Sequence, residues 1–255
     1  MPELGTLHAA VLGNPDADAP RLAYADAVAK TDSARAELIR MQLEIVRMQR
    51  AGANPAVLDS RVRTLLEKHK DAWAKDVASV PGVRWVGFER GFPEHVHMSA
   101  RDFLDHGAEL FALARIRHLD LLEPKPHAAE LFQSPLLARI HTLRMWRVEL
   151  GDGEMSALGA SPCLANLRWL DLSGNRIGQA GLEALAASTQ LPALQVLVFG
   201  DNLVPDPTPQ IGESDWNSAP LWRYVTETAK DLEARFGKKP WLSSSRLEPP
   251  ARDDV

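Results

Sequence analysis

Residues 164–177 read Leu164-Ala165-Asn166-Leu167-Arg168-Trp169-Leu170-Asp171-Leu172-Ser173-Gly174-Asn175-Arg176-Ile177. Apolar side chains stand at 164, 167, 170, 172 and 177, with an asparagine at 175. The same frame returns 27 residues later as Leu191, Leu194, Leu197, Phe199, Asn202 and Val204. Upstream by the same shift stand Leu137, Ile140, Leu143 and Met145. A further 24 residues back are Leu113, Ile116, Leu119 and Leu121, and a weaker copy 23 residues earlier centres on Val96 and Met98. Five successive hits at 23–27 residues mark an internal repeat rather than a chance apolar run.

This frame is the leucine-rich-repeat pattern. It predicts an α/β fold: a solenoid of parallel strands and helices over residues 81–204. Alternating apolar residues point one way from a short strand, and the asparagine turns inward to bond the backbone of neighbouring coils. A helix closes each turn, as in Glu154–Leu158 and Gly181–Ala187. One unit cannot bury its apolar face alone, so the copies must stack. An ordinary α/β domain does not explain asparagines at matched offsets. The copies are unequal, because the asparagine position holds Pro124 in the Leu119 copy and Val148 in the Leu143 copy. Those coils are expected to be less regular.

Outward from the repeats, residues 1–80 read as helices. Leu4, Leu7, Val11 and Leu12 share one face, and Asn14-Pro15 ends it. Asp18-Ala19-Pro20 is a helix start, with Leu22, Tyr24, Ala25, Val28 and Ala29 as the apolar stripe behind it. Ser33–Arg50 carries Leu38, Met41, Ile45 and Met48 on one face; Arg35, Glu37, Arg40, Glu44 and Arg47 are its polar side. Gly52–Pro55 breaks it, and Val57–Trp73 is another amphipathic helix. On the far side, residues 205–255 predict a proline-rich loop, a capping helix over Leu221–Phe236 ended by Gly237, a tucked Trp241-Leu242 and a polar tail. The helical block and this segment are expected to cap the two ends of the stack.

Composition restricts the function classes. The chain has 255 residues, 45% hydrophobic and 25% charged, with a net charge of −5. Those are globular proportions. The charge leaves no nucleic-acid footprint and suits a cytoplasmic protein. The single Cys163 excludes an intramolecular disulfide framework or a multi-cysteine metal site. The opening MPELGTLHAA lacks the basic and apolar regions of a signal peptide. No stretch approaches the ~20 apolar residues of a membrane span.

The segment Asn14-Pro15-Asp16-x-Asp18-Ala19-Pro20-Arg21-Leu22-x-Tyr24-Ala25-Asp26, with Ala36–Gln42 downstream, resembles the repeat-companion domain of myxobacteria and planctomycetes. That domain usually precedes leucine-rich repeats. Arg90-Gly91-Phe92 and Phe111-Ala112-Leu113 fit the same family, and the likeness covers roughly residues 4–200. Ala27-Val28 stands where members often have Trp-Leu, and Ser33-Ala34-Arg35 where a Gly-Asp/Asn-Pro-Arg-like turn is common. The resemblance implies a bacterial cytoplasmic protein with no established catalysis, hence a recognition role.

In a repeat stack, residues between the leucines line the concave strand face. Three columns result: Glu94, Arg117, His141, Arg168 and Gln195; His95, His118, Thr142, Trp169 and Val196; His97, Asp120, Arg144, Asp171 and Val198. Neighbours in a column are ~4.8 Å apart, so Asp120, Arg144 and Asp171 alternate in sign as a ladder. Trp146 and Trp169 should face outward beside arginines, as interface anchors do. The partner-binding candidates are therefore Arg117, His118, Asp120, Arg144, Trp146, Arg168, Trp169 and Asp171. His95, His97 and His118 form a histidine patch that reads either as a solvated cluster or as three zinc ligands. No phosphate loop, nucleophile elbow or His-Glu-x-x-His motif occurs, so no catalytic residue, metal or cofactor is expected. Gly151–Glu154 is a turn into a helix rather than a calcium loop. The expected function is a non-catalytic module recognising a partner protein, without nucleic acid or membrane. The rivals are an immunity protein blocking a basic toxin, a scaffold joining two partners, and an enzyme using the histidine patch.

Overall fold

The computed structural model describes residues 3–14, 16–208, 210–211, 223–224 and 226–243. It is a mixed α/β fold with a six-stranded, mostly parallel sheet in the order β1-β2-β3-β4-β5-β6. The strands are β1 (Trp85–Glu89), β2 (Phe92–Ser99), β3 (His118–Leu122), β4 (Thr142–Arg144), β5 (Trp169–Asp171) and β6 (Val196–Val198). Ahead of them come α1 (Leu4–Gly13), α2 (Asp18–Val28), α3 (Ser33–Arg50) and α4 (Ala56–Ala78). Between strands lie α5 (Ala100–Leu113), the short α6 (Ala128–Leu131), α7 (Asp152–Gly159) and α8 (Gln179–Ala187). The chain divides into two compact units: Met1–Val96 with Ala108–Ile116, and His97–Gly107 with Arg117–Val255. The division runs through β2 and α5. Among the described residues, no helix is long and apolar enough to cross a membrane.

In the first unit, α3 is central because it is apolar on two sides. Ala36, Ile39 and Leu43 join Val11, Ala25, Val28 and Phe92. Leu38, Met41 and Ile45 join Val62 and Leu66 of α4. Asp32 caps α3, its Oδ1 accepting from the Arg35 backbone N–H at 2.8 Å. The helix α4 runs past Trp73 to Ala78 because Ala74 and Val77 prolong its buried face. Its Trp73 indole N–H donates to Asp32 Oδ2 at 2.8 Å. The α2 stripe is rotated from the sequence reading: Arg21, Ala25 and Val28 are buried, at i, i+4 and i+7, and Leu22 is exposed. Arg35, expected on the polar side of α3, is buried as well. Gly91 fits where a Cβ would lie 2.2 Å from Ile39 Cγ1, and its N–H donates to Gln42 Oε1 at 2.6 Å.

In the second unit, β3 to β6 pair in parallel with no slip. His118, Thr142, Trp169 and Val196 are aligned; Leu119, Leu143, Leu170 and Leu197 are aligned; so are Asp120, Arg144, Asp171 and Val198. The leucine column is buried throughout, as are Leu121, Met145, Leu172 and Phe199 beyond it. The coil after β3, which has Pro124 for asparagine, is the irregular one: a 3-10 turn at Lys125–His127 leads into α6, only four residues long. The C-terminal helix α9 is Glu227–Phe236, capped by the Thr226 hydroxyl, not Leu221–Phe236. Arg223–Tyr224 (β8) instead pairs antiparallel with Gln210–Ile211 (β7). Leu221, Val225 and the tail beyond 243 lie outside the described residues. Gly237 ends α9 at φ 81°, and Trp241 and Leu242 of α10 (Pro240–Ser243) are buried as expected.

Candidate interaction site

Three backbone devices hold the strand face of the second unit in place. Asn175 Oδ1 accepts from Val148 N and Leu150 N, both at 3.1 Å. Its Nδ2 donates to Met145 O at 2.7 Å and Leu172 O at 2.8 Å. Asn202 repeats this one coil on: Oδ1 accepts from Ile177 N at 3.1 Å, and Nδ2 donates to Leu172 O at 2.9 Å and Phe199 O at 2.8 Å. The inward asparagine expected from sequence is therefore present in both coils that have one. Val148, in the position of a missing asparagine, has its N–H held by the next coil's Asn175.

Two further devices escaped the sequence reading. Ser161 Oγ donates to Phe132 O and accepts from Cys163 N; Ser188 Oγ donates to Gly159 O at 2.6 Å and accepts from Gln190 N at 3.1 Å. Ser134, buried, stands at the same place one coil earlier. The spacing of Ser134, Ser161 and Ser188 was visible, but the hydrophobic frame drew attention from it. Past each of β3 to β6 a residue at a matched place is left-handed: Glu123 (φ 51°), Arg147 (φ 54°), Gly174 (φ 67°) and Asp201 (φ 59°), with Glu149 (φ 62°) a second one past β4. The spacing of the matched four follows the aliphatic repeat. Three of these four carry a Cβ where glycine is preferred, so composition gave no signal.

The eight candidate residues divide by exposure. Arg117, Arg144, Trp169 and Asp171 are buried. Asp120 and His118 are half-buried. Trp146, 49% exposed, and Arg168 reach solvent. Trp169 thus does not stand outward as an open anchor. The charge ladder is in register, and Arg144 Nη1 lies 3.7 Å from Asp120 Oδ2. Asp171 Oδ1 accepts from Ser173 N at 3.0 Å and Ser173 Oγ at 2.6 Å. Arg144 and Asp171 are therefore interior charges, and Asp120 reaches toward the surface. Trp146 carries the Arg147 guanidinium 5.6 Å from its ring centroid. This pair and Arg168 are the open part of the set.

The three histidines do not form a metal-ligand group. His95 is buried in the first unit, edge-on to Trp85 at 4.8 Å between centroids. His97 and His118 belong to the second unit. Among the described residues, no group of three or more His, Cys, Asp or Glu could hold a metal ion. Gly151–Glu154 enters α7 as expected, and Asp152 Oδ1 accepts from Gly178 N at 2.7 Å, fastening the start of α8. The half-buried Cys163 has Sγ 3.5 Å from Gln133 O.

The first unit holds charges that the sequence reading placed at the surface or passed over. Arg21 and Glu94 are both almost fully buried, with Nη2 2.5 Å from Oε1. Arg90 Nη2 lies 3.6 Å from Glu94 Oε2, and Arg21 Nη1 donates to Arg90 O at 3.2 Å. Burial pulls Arg21 below the usual arginine range, and Glu94 opposes that shift. The available signal was Arg21 in step with Ala25 and Val28. No family model matches the chain, and no curated protein is significantly similar to it.

Proposed function

We propose that the second unit is a short leucine-rich-repeat solenoid and that the chain is a non-catalytic protein-binding module of the repeat-companion type, acting in a bacterial cytoplasm. One observation carries this reading: Asn175 and Asn202 bond the preceding coil at identical sequence offsets, above strands paired without slip. Such a stack is stiff, and it presents side chains at fixed intervals. A rigid surface loses little freedom on binding, which favours recognition of another folded protein.

Within the strand-face set, Arg168 and Trp146 are the contact anchors of this reading. Arg117, Arg144, Trp169 and Asp171 hold the face in shape, with Asp120 and His118 between the two groups. Tryptophan and arginine are the side chains that most often dominate binding energy. The test begins with affinity capture by the full chain from native lysate, and continues with titration calorimetry on the purified partner. Trp146→Ala or Arg168→Ala should weaken binding by at least about 1–2 kcal/mol while leaving the thermal midpoint unchanged. Equal affinity for wild type and both variants refutes these anchors.

A further inference from the structure

We propose that Arg35, in the first unit, is the receptor for an oxyanion, a carboxylate or phosphate group presented by a ligand at a cluster of half-buried rings. This does not depend on the strand face of the second unit. Arg35 lies in the first turn of α3 and is only 7% exposed. Its guanidinium carbon sits 5.1 Å from the ring centroid of Trp73, 4.9 Å from that of Phe88 and 5.4 Å from that of Phe92. Aromatic rings offer a guanidinium no hydrogen-bond acceptor of the carboxylate kind, so its N–H donors stay available to a carboxylate or phosphate, which a guanidinium takes in two parallel hydrogen bonds.

Those donors are not used internally. Arg35 Nη1 is buried with no hydrogen-bond partner, and among the described residues Arg35 forms no ion pair. The other two buried arginines of the unit, Arg21 and Arg90, both have Glu94. Asp32, whose charge acts on Arg35, is committed elsewhere: Oδ1 to the Arg35 backbone N–H, Oδ2 to the Trp73 indole. A cation so far out of water ordinarily has a counter-charge. Here burial outweighs the help from Tyr24 and Asp32, and holds the guanidinium down to about 10.

The surroundings favour an anion too. Trp73, Phe88, Tyr24 and His8 are all half-buried, so the rings around the guanidinium are themselves partly open to solvent. His8 stacks on Phe92 at 6.0 Å, and burial together with the Arg35 charge lowers its proton affinity, with Asp76 opposing. The positive end of α3, an 18-residue helix, adds to the same potential.

The test uses the full chain and two probes, inorganic phosphate and acetate, with ionic strength held constant by sodium chloride. The Arg35 Nε–H resonance, assigned on the wild-type protein, is followed through each titration, and the thermal midpoint is read alongside. Arg35→Gln is titrated in parallel. A saturable shift of that resonance, a raised midpoint, and at least about tenfold weaker binding by Arg35→Gln support the receptor. Response to acetate alone indicates a carboxylate-bearing ligand, and response to phosphate alone a phosphate-bearing one. A response no larger than chloride gives, or equal affinity in Arg35→Gln, overturns it. If Arg35→Gln does not fold, the wild-type titration decides by itself.

Discussion

The two units satisfy their buried polar groups with a different balance of neutral and charged side chains. The second unit repeats one device, neutral side chains that bond backbone of a neighbouring segment, as Asn175, Asn202, Ser161 and Ser188 do, and its buried charges, Arg117, Arg144 and Asp171, lie on or beside the strands. The first buries ions. Arg21, Arg90 and Glu94 answer one another, and Arg35 rests among rings. A neutral amide can be satisfied wherever a backbone turns past it, so that device can be repeated coil after coil. An interior ion needs a specific counterpart, so each such set is particular to its place.

The sharpest way to break this contrast is Glu94→Ala. It leaves Arg21 and Arg90 buried without their carboxylate, and denaturant unfolding should show a loss of about 3–5 kcal/mol. A loss below about 1 kcal/mol would mean that water enters and the charges are not truly interior. Next is Leu170→Ala, in the middle of the aliphatic column, with an expected loss of about 2–5 kcal/mol by the same measurement. Asn175→Ala removes the acceptor of two N–H groups and the donor to two carbonyls. It should cost about 2–4 kcal/mol, and Asn202→Ala, with fewer bonds, less. Equal losses would show that bond number is not what ranks the coils.

The left-handed corners give a pair of opposite sign. Gly174→Ala places a Cβ at φ 67° and 2.5 Å from Arg147 Cγ, so it should destabilise by about 1–2 kcal/mol. Asp201→Gly relieves the same strain at the equivalent place and should be neutral or gain up to about 1 kcal/mol. The smallest effect belongs to the exposed pair Arg235–Glu183, which ties α9 to α8. Hydrogen bonds from Arg235 and Gln179 lower Glu183 to about 2. Its contribution is therefore complete above the ordinary glutamate range and fades as pH falls toward 2. A carboxyl NMR titration of Arg235→Ala should move the Glu183 midpoint upward, with little change in unfolding because water screens the pair.

The strand register was legible because neighbouring parallel strands must show the same aliphatic column, and the alignment of Leu119, Leu143, Leu170 and Leu197 follows from that spacing. The asparagine bonds were legible for the same reason. His118, Asp120, Arg144, Trp169 and Asp171 fall in the register the spacing predicts, but their exposure does not follow from it. Sequence spacing fixes which way a side chain leaves its strand; it does not fix what lies over it. The burial of Arg21 and Arg35 was missed because arginine on a helix is ordinarily solvated, and its i, i+4 neighbours were weighed less than its charge.

The order of the aliphatic residues was enough to determine the strand spacing and register and the inward asparagines, because these depend on periodic contacts between neighbouring strands and the segments that follow them. Only the folded molecule decided which charges became interior, which corners turned left-handed, and that Trp146 rather than Trp169 meets solvent. Each of those outcomes depends on residues far apart in the chain arriving together, and no local pattern encodes that meeting.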